Sequence, residues 1–184
     1  PPPKLEAGGS YPLAVIPHAL SIQTYEGGYG TAVSALTIDS ASSVLIASSD
    51  KVVVVTDVVT AQVKCRFHGH TGLINAVALT NGPEVYLSAS YDSTVRIWDA
   101  RSRTQTPIQI LSDATDSVAC VEVVDEQDAS AQIVTASVDG KVRTYDIRMG
   151  QVQCDDVGDA VTGMALSHDG NCLAASCVDG TIRL

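Results

Sequence analysis

Hydrophobic and polar residues alternate along this chain in short runs of period two, with no stretch of helical spacing long enough to compete. Val33 to Ile38, Ile74 to Leu79, Val118 to Val123 and Val161 to Leu166 each place alternate side chains on opposite faces of a strand. Each is followed by a run of small and apolar residues: Val44 to Ser49, Val85 to Ser90, Ile133 to Ser137 and Cys172 to Cys177. A third strand then begins after an Asp-led turn, and a fourth is expected near Gln62 to Phe67, Ile108 to Leu111 and Gln151 to Asp155. Leu20 to Tyr25 reads as the outer strand of an earlier unit. The pattern predicts an all-β chain with three complete four-stranded units and an incomplete one at each end.

The turns carry a repeated motif. Residues 92–99, 139–146 and 179–184 are copies of one another, and 50–57 is a degenerate fourth copy that keeps the seven-residue gap between two acids. The leading acids Asp50, Asp92, Asp139 and Asp179 follow one another after 42, 47 and 40 residues, the period of a four-stranded propeller blade. Gly140 and Gly180 supply the left-handed conformation that such a tight turn requires.

These residues resemble the WD-repeat family, whose signature is Gly-His near the start of a repeat and Trp-Asp at its end. Gly69 and His70, Ser88 or Ser90, Asp92, and Trp98 with Asp99 supply every member of the His, Ser, Asp and Trp network of such a blade. The other repeats depart from it. Gly28 and Tyr29 replace Gly-His in the first, Thr56 and Asp57 replace Trp-Asp, and Tyr145 and Asp146 end the third. Neither the third nor the last has Gly-His, so those blades are expected to rely on packing alone. The resemblance implies a WD-repeat β-propeller of which about four blades are present, a fragment of a seven-bladed ring. A four-bladed ring closed by the strand at 20–25 is the alternative. The boundaries expected are a Pro/Gly-containing segment over 1–19 and a partial propeller over 20–184, with repeats at about 27–67, 68–111, 112–155 and 156–184.

Composition narrows the function classes. The formal net charge is −10, from 21 acids and 11 bases, which repels phosphate backbones and anionic lipid. No direct nucleic-acid or membrane partner is therefore expected. Apolar runs such as Leu13 to Ile16 are too short to span a bilayer and no secretory leader is visible. The expectation is a soluble protein of cytoplasm and nucleus. The five cysteines lack a CxxC pair and read as reduced thiols.

Chemistry-bearing constellations are sparse. His68 and His70 have no further ligand at a structural-zinc interval, and the Asp-Gly steps at 139, 169 and 179 lack a calcium-loop pattern. No nucleophile elbow or phosphate-cradling loop occurs. No metal, cofactor or catalytic residue is expected, and the chain reads as non-enzymatic. Arg96, Arg143 and Arg183 share the position four residues after the turn acid and could form a basic stripe for acidic partners. The plainer reading is a blade-edge residue with a buried stem and a solvated head. Arg101 and Arg148, each three residues past the aromatic, should be exposed. Their pattern resembles one by which some WD-repeat proteins dock on the adaptor of cullin-RING ubiquitin ligases, against which stands a solvated Arg paired to a nearby acid. Acids at 113–116 and 125–128 read as solubilising turns.

Residues 98–103 with 107–111, 137–151 and 157–162 are similar to the kinase-organizer branch of the family. That likeness implies a protein-binding scaffold for components of a mitogen-activated protein kinase cascade, and association with spliceosomal complexes. A ubiquitin-ligase substrate receptor is the second expectation. An open arc with unpaired apolar faces is also expected to self-associate.

Overall fold

The computed structural model describes residues 25, 30–39, 44–80, 84–102, 104–125, 131–167 and 170–184. These form fifteen strands in four antiparallel sheets, each made of consecutive strands in chain order. Sheet one holds β1 (Val33–Ile38), β2 (Val44–Ser49), β3 (Val52–Asp57) and β4 (Val63–His68). Sheet two holds β5 (Ile74–Leu79), β6 (Val85–Ser90), β7 (Val95–Asp99) and β8 (Gln109–Leu111). Sheet three holds β9 (Val118–Asp125), β10 (Ala131–Ser137), β11 (Lys141–Asp146) and β12 (Gln151–Asp156). Sheet four has three strands, β13 (Val161–Leu166), β14 (Leu173–Cys177) and β15 (Ile182–Arg183).

The first strand of each sheet packs on the first strand of the next, β1 on β5, β5 on β9 and β9 on β13. This is the radial stacking of propeller blades. No comparable packing joins β13 back to β1 among the described residues, so the sheets form an open arc. The proposed closing strand at 20–25 lies outside the described residues except for Tyr25, whose hydroxyl donates to the Val58 carbonyl over 3.1 Å.

Period-two alternation decides what each sheet gives to its neighbours. On β7, Val95 and Ile97 face sheet three, where they join Val118, Val121, Ile133 and Tyr145. Trp98 faces the other way and joins Ile46, Val53, Val55 and Phe67 of sheet one. Val134, Val142, Val161 and Ala175 form the third core, between sheets three and four. Trp98, Phe67 and Leu87 are almost fully buried, so the chain's single Trp and single Phe anchor the same inter-sheet core.

One feature is not visible in the alternation. Each innermost strand begins with a bulge that inserts one extra residue: Ser34, Asn75, Ala119 and Thr162. The extra residue aims a side chain sideways. Ser34 Oγ donates to the Ile74 carbonyl of the next sheet (2.7 Å), and Asn75 Nδ2 to the Val118 carbonyl (2.8 Å). Where the third bulge holds Ala119, the neighbouring Cys120 Sγ reaches the Thr162 carbonyl at 3.9 Å instead.

The Asp-led hairpins divide into two kinds. In sheets two to four the acid is the middle of a three-residue loop closed by Ser93 (φ 63°), Gly140 (φ 80°) or Gly180 (φ 79°). In sheet one Ser49 pairs directly with Val52, which leaves a two-residue loop in which Asp50 itself takes the left-handed conformation (φ 57°). The first copy of the motif therefore lacks the residue that precedes the acid elsewhere, and Asp50 does not occupy the position of Asp92.

Candidate functional site

The densest polar constellation sits inside sheet two. His70 lies at the entry to β5, Ser88 in the middle of β6, Asp92 in the hairpin and Trp98 near the end of β7. Asp92 Oδ2 accepts from His70 Nδ1 at 2.9 Å, and His70 Nε2 lies 2.8 Å from Ser88 Oγ. The Trp98 indole N–H donates to the same Oγ at 2.8 Å. With Nδ1 donating to Asp92, Nε2 is the acceptor for the Ser88 hydroxyl, which fixes the tautomer. Thr71 N and Thr94 Oγ1 complete the set on Asp92, at 2.9 and 2.5 Å. Ser90 stands apart from the ring. Its Oγ donates to the Leu73 carbonyl (2.9 Å) and accepts from Asp92 N (3.2 Å), pinning the start of the hairpin.

Burial holds the His70 imidazole below its ordinary pKa, against the opposing pull of Asp92. Burial also opposes ionisation of Asp92, but hydrogen bonds from Thr94, His70 and Thr71 outweigh it and hold that carboxyl well below the usual range. Ser, His and Asp in this order look like a hydrolytic relay. The environment argues otherwise. Ser88 is 0 % exposed and its oxygen is already bonded on both sides, so no substrate carbonyl can approach it. The constellation ties β5, β6 and β7 together.

The same acid position works by another partner in the next two sheets. Asp139 Oδ1 accepts from Lys141 N and Asp179 Oδ1 from Thr181 N, as Asp92 Oδ1 accepts from Thr94 N. The second oxygen takes the cross-tie: Arg143 Nη2 at 2.7 Å on Asp139, and Arg183 Nη2 at 2.9 Å on Asp179. Arg143 and Asp139 are buried together, at 5 % and 6 % side-chain exposure. Burial disfavours the Asp139 anion, yet Arg143 and Thr115 hold its pKa down to about 2. The expectation that blades without Gly-His rely on packing alone is corrected here, because an arginine takes the histidine's place. The solvated head expected for Arg143 is likewise corrected.

Arg96 departs from its counterparts. His70, Thr71 and Thr94 occupy Asp92, so Arg96 is left without a carboxylate among the described residues, and its Nε is buried with no acceptor. Its guanidinium lies against Gly69, where a β-carbon would meet Arg96 Nη1 and stand 3.3 Å from the Trp98 ring.

Arg101 and Arg148 are both exposed but differ. Arg101 folds back onto Asp99, with Nε and Nη2 each 3.1 Å from a carboxylate oxygen. No such ion pair holds the Arg148 side chain among the described residues, and its backbone N–H donates to Asp146 at 2.9 Å. Asp57, Asp99 and Asp146 each cap the turn after their strand. The two acids of the motif therefore bracket the third strand, which is the physical content of their spacing. The sequence reading missed Thr71, Thr94 and Thr115. The signal for Thr71 and Thr115 was a Thr one residue past the His70 position in the second and third repeats, and for Thr94 a Thr two residues past the turn acid, as Thr181 is in the last.

Among the described residues no group of three or more His, Cys, Asp or Glu side chains could hold a metal ion, and no helix is long and apolar enough to cross a membrane. The acids at 126–128, Gly28 and Tyr29, and Asp169 lie outside the described residues. All five cysteines are free.

The family model for the WD domain, G-beta repeat, matches residues 61–99 and 153–184. A WD repeat domain-containing protein 83 homolog of Dictyostelium discoideum is 29% identical over 86% of this chain and 56% of its own length. WD repeat domain-containing protein 83 of Rattus norvegicus is 45% identical over 46% of this chain and 25% of its own length, and that of Homo sapiens is 43% identical over 45% and 25%. The chain thus spans about half the length of the Dictyostelium relative, and the two mammalian alignments cover a quarter of theirs.

Proposed function

Taking as premise that this chain carries WD repeats, we propose that it is a non-enzymatic scaffold that binds proteins through the loops and edges of its blades. The observation that carries this reading is where the reactive groups are spent. His70, Ser88, Asp92, Asp139 and Arg143 are consumed inside the sheets in holding strands together, while the surface offers rigidly spaced turns. A rigid array of turns raises the effective concentration of partners held side by side.

The partners we propose are components of a mitogen-activated protein kinase cascade, spliceosomal complexes, or both, with residence in cytoplasm and nucleus. The likeness to WD repeat domain-containing protein 83 supports this reading. The test is co-precipitation with the full chain from separate cytoplasmic and nuclear extracts. Recovery of kinases of the cascade or of spliceosomal proteins is the expected result; recovery of neither ends the assignment.

A substrate receptor of a cullin-RING ubiquitin ligase is the second reading. The free guanidinium of Arg148 favours it, and the closure of Arg101 onto Asp99 counts against it. Capture of the ligase adaptor that is lost in R148A would support it. No capture by the parent chain would end it.

A further inference from the structure

The motif places an arginine four residues after the turn acid in three sheets, and two of the three are consumed internally. Arg143 grips Asp139 with both terminal nitrogens, at 3.2 and 2.7 Å, and Arg183 reaches Asp179 at 2.9 Å. In sheet two the corresponding acid is already saturated. Its Oδ1 accepts from Thr94, and its Oδ2 from His70 and Thr71. Arg96 thus keeps the position, stem and charge of its counterparts but has lost their anion. Its Nε is fully buried with no acceptor, a costly state for a charged donor unless something outside the sheet compensates the cation.

The site around it is shaped. The guanidinium lies against Gly69, where a β-carbon would meet the movable end of Arg96 and stand 3.3 Å from the Trp98 ring. Trp98 is fixed by its hydrogen bond to Ser88, so the ring that borders Gly69 is held in place. A planar fork held against a rigid wall suits a planar bidentate anion better than a spherical one.

We propose that Arg96 is an anchor for a partner, taking the carboxylate of an acidic side chain from a peptide segment laid across the junction of sheets one and two. This deepens the scaffold reading and rests on it. With His70, Thr71 and Thr94 on the acid the arginine is left for outside use, and the repeat that best keeps the Gly-His signature is also the one whose motif arginine has no carboxylate among the described residues.

The test reads the arginine Nε–Hε resonances of the full chain by ¹⁵N NMR during titration with an acetylated, amidated peptide rich in glutamate. Its glutamine counterpart and inorganic phosphate serve as the other two arms. Arg96 is expected to show a saturable shift with the glutamate peptide only, while Arg143 and Arg183 stay in place. R96K, which keeps the charge and removes the fork, is expected to weaken binding at least five-fold. Parallel shifts of all three arginines, a stronger response to phosphate, or unchanged affinity in R96K would overturn the proposal. The wild-type titration stands even if a variant fails to fold. Co-precipitated partners that survive R96Q would end the Arg96 assignment and leave the scaffold reading intact.

Discussion

The indole N–H of Trp98 and the hydroxyl oxygen of Ser88 lie 2.8 Å apart, with both residues wholly withdrawn from solvent. Through that oxygen the tryptophan is coupled to His70 and so to the hairpin acid Asp92. The largest side chain of the first inter-sheet core is thereby held in register by the polar ring of the sheet it comes from.

Ser88→Ala removes the shared oxygen and strands two buried donor or acceptor groups, on Trp98 and His70. Each such group costs about 1–3 kcal/mol, so urea unfolding should show a loss of about 2–6 kcal/mol. His70→Ala in the Ser88→Ala background should add much less than it does alone. Full additivity would mean that the ring does not act as a unit.

Breaking the buried pair in sheet three should be severe. Arg143→Ala leaves the Asp139 carboxylate at 6 % exposure without its cation, and such uncompensated charges cost about 3–5 kcal/mol. Arg143→Met with Asp139→Ala, which removes both charges, should recover a large part of that loss in the same unfolding measurement.

The acid side of the pH profile should carry Asp139. Its folded pKa, held to about 2, lies below the ordinary carboxylate value. The unfolded chain therefore binds the extra proton, and this stability is present above the unfolded value and lost as pH falls through the folded one. Unfolding free energies between about pH 4 and pH 2 should slope less steeply in Asp139→Asn than in the parent.

His70 should act in a higher window with the same sign. Because its folded pKa is depressed by burial, the unfolded chain takes up a proton first as pH drops below about 6.5. Stability should fall from pH 7 toward pH 5, and His70→Gln should flatten that limb while lowering stability at pH 7. An unchanged limb would place the imidazole's titration elsewhere.

The hairpins offer a pair of opposite outcomes. Gly140→Ala puts a β-carbon at φ 80° and within 3.4 Å of the Asp159 backbone, which should cost about 1–2 kcal/mol. Ser93→Gly relieves a non-glycine residue at φ 63° and should gain up to about 1 kcal/mol, less the added freedom of the unfolded chain. Thermal midpoints of the two variants should move in opposite directions.

Much of this architecture was legible in the residues because strand alternation and turn chemistry are local. Val95 and Ile97 alternate with Arg96 and Trp98, and that alone assigns them to opposite neighbours. The bulges at Ser34 and Asn75 were not legible, since an extra residue hides within a run whose apolar positions continue on either side. Nor was the shortened first hairpin. The missing residue lies before Asp50, while the visible spacing runs from Asp50 to Asp57. The choice between histidine and arginine as the acid's partner also escaped, because His70 and Arg143 approach the acid from opposite ends of the repeat and meet it only in three dimensions.

The bulges give the row of sheets a grain. Ser34 reaches forward to Ile74 and Asn75 forward to Val118, each joint being made by the earlier unit on the backbone of the later. A carbonyl is the same whatever side chain follows it, so a newcomer inserted in the row needs only a main chain to be latched and one polar residue to latch the next. What such a row must keep is the fastening, and the residues of the turns are left at liberty to differ.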